Sequence, residues 1–540
     1  MLSVHQAFAA SAARTPAAEF LHIDAVTAQA YGIAARPWHW GEAAAEVERL
    51  RAAYARAGWG HGHRVGLLLE NRPAFLLHWL ALNALGASVV PINADMRSAE
   101  LTYLIGHSEI GLAVTLPERV ADLLAAAQQA GRPLATLDAD ATGEIPPPPT
   151  AAPHADQPVG LQTECALLYT SGTTGRPKGC MLSNEYFVRA GQWYAELGEL
   201  FSVKRDAERV LTPLPLTHVN AMAFSTMVVL VAGGCLIQLD RFHPKTWWQS
   251  VRDSRATVVH YLGVMPAMLL SAPASPADRE HHVRFGFGAG VDRKNHAPFE
   301  ARFGFPLIEG WAMTETGAAA CVMANREPRH VGTNCFGRAE PFMQYRLADD
   351  EGHDVPVGTP GELLVRSAGP EPRRYFFSGY LKDAQATQEA WAGGWFHTGD
   401  IVKGDADGNL YFVDRKKNVI RRSGENISAV EVESVLNQHP AVKASAVAAT
   451  PDAVRGDEVL ACIITHEPIT ADAHAALAAS VVEHALAQLA YYKAPGYVAF
   501  VDALPLTPSQ KIQRGELRQM AHALPGQANC IDTRSMKRRG

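Results

Sequence analysis

The segment with the densest supply of reactive groups is Leu167-Leu168-Tyr169-Thr170-Ser171-Gly172-Thr173-Thr174-Gly175-Arg176-Pro177-Lys178-Gly179. Its 13 positions hold four Ser/Thr hydroxyls, three glycines and two cations, and they follow a short apolar strand-like run. Glycines let backbone N–H groups approach phosphate oxygens closely, the hydroxyls donate further hydrogen bonds, and a lysine places a point charge on the terminal phosphates. The pattern reads as a phosphate cradle. It is not a Walker A loop, because Gly172 to Lys178 follows G-x-x-G-x-x-K and no Ser or Thr succeeds the lysine.

Further clusters follow along the chain. Pro213-Leu214-Pro215-Leu216-Thr217-His218-Val219-Asn220-Ala221 offers a histidine in a Pro/Leu setting, and Glu309-Gly310-Trp311-Ala312-Met313-Thr314-Glu315 joins an indole, a hydroxyl and a carboxylate. Gly394-Trp395-Phe396-His397-Thr398-Gly399-Asp400, Asp414-Arg415-Lys416-Lys417-Asn418, Ser423-Gly424-Glu425-Asn426-Ile427 and Pro505-Leu506-Thr507-Pro508-Ser509-Gln510-Lys511-Ile512 complete the series.

Taken in this order, the segments resemble the motif set of the adenylate-forming superfamily, which includes acyl-CoA synthetases, peptide-synthetase adenylation domains and beetle luciferases. The resemblance runs from about Trp38 to Leu517. It implies that Thr170, Ser171, Gly172, Thr173, Thr174, Gly175 and Lys178 cradle the phosphates of ATP, and that His218 borders the acyl pocket. Glu309, Gly310 and Trp311 would bind the nucleotide, with the Trp311 ring against adenine; Thr314 would touch the α-phosphate and Glu315 would hold Mg²⁺. These roles suit the residue types: a flat ring for a flat base, a hard carboxylate for a hard cation. Ala312 stands where the superfamily usually has glycine, which puts the adenine geometry in question. Asp400 would accept hydrogen bonds from both ribose hydroxyls, as a carboxylate with two acceptor oxygens can. Arg415 is expected near the ribose, Lys417 at a hinge, and Ser423, Gly424 and Glu425 in a loop that meets coenzyme A. Lys511 is the expected catalytic lysine, with Glu315, Thr314, Lys178 and His218 as its catalytic companions.

The implied chemistry is consistent. A carboxylic acid is already ionised at pH 7, so its attack on the α-phosphate requires charge neutralisation rather than a general base. Pyrophosphate leaves, acyl-AMP remains, and a thiol then displaces AMP. The expectation is an ATP-dependent, AMP-forming acyl-CoA ligase using ATP, Mg²⁺ and coenzyme A on a small carboxylic acid. The alternative is an acyl-AMP ligase loading a carrier-protein phosphopantetheine; luciferase-like oxidation shares the motifs without being favoured. Ser275–Gly290, Ala301–Gly304 and Phe412–Ser428 look most like crotonobetaine/carnitine-CoA ligases. A trimethylammonium substrate would want an aromatic cage, for which Trp193, Tyr194, Trp247 and Trp248 are available. A fatty, steroid or aryl acid would want an apolar pocket instead, lined around His218–Phe224 and Phe287–Val291.

These residues need a scaffold. VGLLLE (65–70), AFLLHWLALNALG (74–86) and ASVVPIN (87–93) repeat a strand, helix, strand order that marks a parallel sheet with crossovers, and TVVHYLG (257–263) and LIEGW (307–311) continue it. The fold class is therefore α/β: a large N-terminal domain of stacked mixed sheets with helices, then a smaller mobile α+β domain. Past Pro360 the text turns to punctuated strands, GELLVRS (361–367), GNLYFVDR (408–415) and ASAVAA (444–449). The implied division is an adenylation (AMP-binding) domain over 1–414, a hinge over 415–417, a lid domain with the catalytic lysine over 418–520 and a disordered tail over 521–540. The Pro/Ala-rich stretch 138–159 reads as a surface linker inside the large domain.

Composition narrows the classes. The chain has 540 residues, 47% apolar and 19% charged, with a formal charge of −6, which excludes disorder, collagen and coiled coil. With Lys537-Arg538-Arg539 the densest basic run, nucleic acid is not an expected partner. Seven widely spaced cysteines without a C-x-x-C pair read as buried thiols. The N-terminal residues lack a signal-peptide pattern, so the expected location is the cytoplasm. Ala221–Leu239 is uncharged over 19 residues but broken by Gly233-Gly234, and reads as buried rather than membrane-spanning. The sequence leaves a homodimer open.

Overall fold

The computed structural model describes residues 2–139, 144–170, 176–291, 293–349, 351–415, 419–505, 512 and 514–537. Among these residues the strands form sheets of thirteen, seven and six strands. Strand Arg64–Leu68, helix Pro73–Ala84 and strand Ser88–Pro91 form the expected crossover unit, with Val65 opposite Val89 and Gly66 opposite Val90 in parallel register. The helix is apolar on nearly every face, with Phe75 through Asn83 all buried, because it lies in the interior of the main core rather than on the surface.

The thirteen-stranded sheet has two halves of different character. Strands Glu19–His22, Cys235–Gln238, Arg209–Thr212, Val258–Leu262, Phe285–Ala289 and Leu307–Trp311 run parallel. From Trp311 onward the sheet turns antiparallel through Val322–Met323, Cys335–Arg338, Asn409–Arg415, Phe396–Gly404, Gly361–Ser367 and Met343–Ala348. The change of pattern past Pro360 therefore marks the antiparallel half of the large sheet. The large sheet's strand ends at Arg415, and the first strand of the six-stranded sheet, Val419–Arg422, begins beyond it. Lys417, the expected hinge, lies outside the described residues.

The uncharged run from Ala221 is buried: it forms a π-helical turn at Asn220–Ser225, helix Thr226–Ala232 and strand Cys235–Gln238. No helix among the described residues is long and apolar enough to cross a membrane. Helix Thr226–Ala232 packs closely on helix Asn184–Glu196, where a Cβ on Gly191 would come within 2.6 Å of the Met227 carbonyl oxygen. All seven cysteines are buried free thiols. Residues 144–159 run along the large domain's surface, with Trp59 Nε1 donating to the Pro146 carbonyl at 2.7 Å.

Residues 521–540, expected as a disordered tail, are structured through Lys537. Strand Cys530–Asp532 pairs antiparallel with Tyr497–Phe500, placing Cys530 opposite Ala499. The physical reason is a buried carboxylate. Glu458 is fully buried and takes Arg422 Nε at 2.8 and 2.9 Å and Lys537 Nζ at 2.5 Å. An isolated buried charge costs several kcal/mol, so the C-terminal lysine completes the interior of the small domain. Lys537→Ala is expected to cost about 3 kcal/mol, the low end for breaking a buried pair because Arg422 remains. Calorimetry should show an earlier melt of the small domain, and an unchanged melt would contradict the assignment.

Candidate active site

The parallel strands of the large sheet all deliver their C-terminal ends to one edge, which is where ligands bind in open α/β sheets. Trp311 ends its strand, and its buried indole Nε1 donates to Asp400 Oδ2 at 2.9 Å. Two residues expected to hold the base and the ribose are thus in direct contact, although 89 positions separate them. Asp400 sits on strand Phe396–Gly404 opposite Arg415, so the ladder also brings the third ribose candidate alongside. Gly310 is required by close packing: a Cβ there would meet Met323 Sδ at 2.6 Å and Phe287 Cε2 at 3.0 Å.

Thr314 and Glu315 follow in the turn after this strand. The Thr314 carbonyl accepts from Tyr186 O–H at 2.9 Å, and the Glu315 carboxylate accepts from Tyr380 O–H at 2.9 Å. Lys178 opens the strand Lys178–Ser183, opposite Thr170 across a hairpin, and its Nζ lies 4.8 Å from the centre of the Tyr380 ring. Tyr380 therefore stands between the cation of the phosphate segment and the carboxylate assigned to Mg²⁺. Thr170 Oγ1 lies 3.8 Å from the buried Cys180 thiol, whose pKa burial raises well above its ordinary value. Ser171, Gly172, Thr173, Thr174, Gly175 and Lys511 lie outside the described residues.

The Glu309 side chain is engaged within the protein. Its buried carboxylate accepts from Tyr261 O–H at 2.7 Å and from the backbone N–H of Gly290 at 2.9 Å and Val291 at 3.3 Å. Burial raises its pKa against these donors. The residue thus braces the turn after strand Phe285–Ala289, and reaches the site through that turn. Nothing in its sequence setting distinguishes a bracing carboxylate from a ligand-binding one.

The small domain reaches the same edge. Ser423 and Gly424 have positive φ, and a Cβ on Gly424 would lie 2.1 Å from Leu262 Cδ1, so the loop needs glycine to sit against the large domain. Glu425 Oε2 then meets His218 Nε2 at 3.2 Å. A second contact holds the same arrangement: Lys493 Nζ lies 2.6 Å from Glu100 of the large domain and 3.0 Å from Glu431 of its own. Lys493 carries no sequence signal, because a lysine's burial between two carboxylates depends on partners 393 and 62 positions away.

Burial works against a charged His218, but the Glu425 carboxylate outweighs it, and the pKa stands above the ordinary 6.5. A raised histidine pKa means that the contact favours docking fully below the free imidazole's pKa and loses that contribution as pH rises through the raised value. Fluorescence transfer between dyes on the two domains should therefore fall with rising pH above 6.5. The His218→Asn variant should flatten that dependence, and an unchanged profile would contradict the contact's role.

Residues 8–381 match the AMP-binding enzyme family, and residues 431–511 match the C-terminal domain of AMP-binding enzymes. The chain is 32% identical to sulfoacetate–CoA ligase of Cupriavidus necator, over 90% of this chain and 92% of that protein. It is 30% identical to crotonobetaine/carnitine–CoA ligase of Salmonella typhimurium, over 88% and 91%. Among solved structures, o-succinylbenzoate CoA synthetase of Bacillus subtilis bound to a product analogue superimposes with a TM-score of 0.80 at 23% identity, over 95% of this chain and 98% of that one. A malonyl-CoA ligase with methylmalonyl-CoA and AMP gives a TM-score of 0.72 at 25% identity, over 90% and 96%. The chain belongs to the AMP-binding enzyme family, and it is an AMP-forming acid–thiol ligase of the adenylate-forming superfamily.

Proposed function

We propose that the enzyme activates a carboxylic acid as acyl-AMP with release of pyrophosphate and then transfers the acyl group to coenzyme A. The observation that carries this reading is the docking of Ser423–Glu425 beside His218, at the same strand edge that holds Trp311, Asp400, Thr314 and Glu315. A loop from the small domain there can guide a thiol toward an acyl group bound next to the nucleotide. A carrier-protein phosphopantetheine ends in the same thiol and is the alternative acceptor.

The residues divide the work in two. In the first half, the acid and the triphosphate are both anionic, so the cradle with Lys178, and Lys511 from the small domain, neutralise charge where the pentacovalent phosphate forms. Glu315 is 6% exposed and has a neutral donor in Tyr380, which leaves its charge available to a hard cation whose other ligands are phosphate and water. Bound there, Mg²⁺ would supply positive potential to the phosphates. Asp400 and Trp311, already joined, would hold ribose and adenine as a preformed pair. In the second half, the small domain must take up the docked arrangement so that the thiol enters while water stays out. Lys417 would be the position at which the backbone turns.

Two variants separate the halves. Lys511→Ala should lose acyl-AMP formation by at least about 100-fold, as for removal of a group that stabilises transition-state charge, yet still convert supplied acyl-AMP and coenzyme A to thioester. Failure at both steps would contradict the division. Lys417→Pro, which fixes the backbone where rotation is needed, should spare a single turnover of pyrophosphate release while abolishing thioester formation. Equal loss of both would overturn the hinge role.

A further inference from the structure

A chain of buried polar groups runs to the edge of this site and ends on one open donor. Tyr194 is fully buried, and among the described residues its hydroxyl has one partner, His260 Nε2, at 2.8 Å. A buried phenol with a single partner donates to it, because an O–H left without an acceptor is costly. Nε2 is therefore the acceptor, and the proton of His260 sits on Nδ1. Burial pushes the His260 pKa down to about 3, so the imidazole stays neutral across the physiological range. Nδ1–H faces Asn220 Oδ1 at 2.8 Å and Ser225 Oγ at 2.8 Å, and Ser225 passes its own proton to the Asn220 carbonyl at 3.3 Å.

The chain fixes which way the Asn220 amide points. Its oxygen is held inward by His260, so its NH₂ group faces the other way. Among the described residues that NH₂ group has no partner, and Asn220 is only partly buried. Asn220 begins the π-helical turn Asn220–Ser225, a widened geometry that recurs at functional sites. It lies two residues beyond His218, where the thiol loop docks. His260 shares a register row with Phe287 and Ile308, three positions before Trp311. The same turn carries a second unanswered group, the buried Thr217 hydroxyl.

What lies behind Asn220 is solid protein. Phe224 and Phe287 pack at 5.8 Å between ring centres, Trp193 and Phe224 at 5.6 Å, Tyr194 and Phe287 at 5.5 Å, and Phe201 and Tyr194 at 4.5 Å. These rings are 0–4% exposed. Trp193 and Tyr194, two of the residues available for an aromatic cage, are thus core, while Trp247 is buried in a separate cluster in which Trp248 stacks on Phe303. Trp193 and Tyr194 therefore leave no open ring face for a trimethylammonium group, and a long acyl chain entering between them would have to displace packed aromatics.

We propose that Asn220 reads the far end of the acid, and that the substrate is a short acid carrying a hydrogen-bond-accepting oxygen there, such as a hydroxyl or sulfonate oxygen. The proposal rests on the acid-activating function above and names its substrate class. Tyr194, His260 and Ser225 are positioning residues that act through the orientation of the amide. A site built to hydrogen-bond a substrate oxygen rejects the analogue that lacks it, whereas an apolar pocket discriminates weakly.

The test uses acid-dependent pyrophosphate release from the full chain with matched acids, β-hydroxybutyrate against butyrate and sulfoacetate against propionate. The wild type should favour the oxygenated member of at least one pair by about tenfold or more in kcat/KM. Asn220→Asp keeps the size and still accepts from Nδ1–H but offers no donor; it should raise KM for the oxygenated acid by about 10- to 100-fold more than for the plain acid. Tyr194→Phe, which touches no substrate, should erode the same preference through KM with kcat retained, and its thermal melt shows whether the core has held. A wild-type preference for the plain acids, or equal losses on both members of a pair, would overturn the role of Asn220 alone. Absence of acid-dependent release with every acid would overturn the acid-activating reading as well.

Discussion

A carboxylate brought to an interface between two domains must find a cation there or remain costly, and Glu425 finds His218. Gly424 seats the same loop against Leu262, and Lys493 closes a second ion cluster with Glu100 and Glu431. If the small domain turns away, Glu425 loses His218, Gly424 leaves Leu262 and Lys493 loses Glu100, keeping only Glu431. The arrangement is therefore a discrete packing held by specific charges, which is what a two-step reaction on one site requires. In the proposed reaction the first step would use a lysine from the small domain beside the phosphates, and the second a thiol path in nearly the same place. One rigid arrangement cannot supply both, so charges that bind in one orientation and release in another set the cost of switching.

The large domain supplies the fixed half of the site. Parallel strands deliver Leu262, Ala289 and Trp311 to one edge, and the sheet then turns antiparallel so that Asp400 and Arg415 return beside them. Close approach is secured at Gly310, and the turn at Gly290–Val291 is held by the buried Glu309. The residues proposed for the nucleotide, Trp311, Asp400 and Arg415, are thus mounted on strands, and Asn220, proposed for the acid, on a π-helical turn oriented by a hydrogen-bonded chain through the core.

Much of this was legible in the sequence because it is local. The crossover unit at Arg64–Pro91 follows from alternating apolar runs, the break at Gly233-Gly234 from backbone punctuation, and the family from motifs whose order matched a known superfamily. What was not legible depends on distant partners. The C-terminal residues looked like a frayed basic tail because the carboxylate that draws Lys537 inward lies 79 positions earlier. The punctuated runs after Pro360 read alike in sequence, yet register assigns 361–367 and 409–415 to the large sheet and Val442–Asp452 to the small domain's sheet. Aromatic pairs such as Trp193-Tyr194 have the same composition whether they form a cage or a core, and only packing separates the two. Asn220 showed no more signal than any other asparagine until His260 fixed its amide.

The most direct measurement of the account is the product balance of a complete reaction: purified protein with ATP, Mg²⁺, coenzyme A and a panel of short acids, with nucleotides and thioester quantified together. The account predicts one AMP and one pyrophosphate for each acyl thioester formed, with turnover dependent on both the acid and coenzyme A. Formation of ADP and phosphate in step with thioester would contradict it, because the attack would then fall on the terminal phosphate rather than on the one beside Thr314 and Glu315.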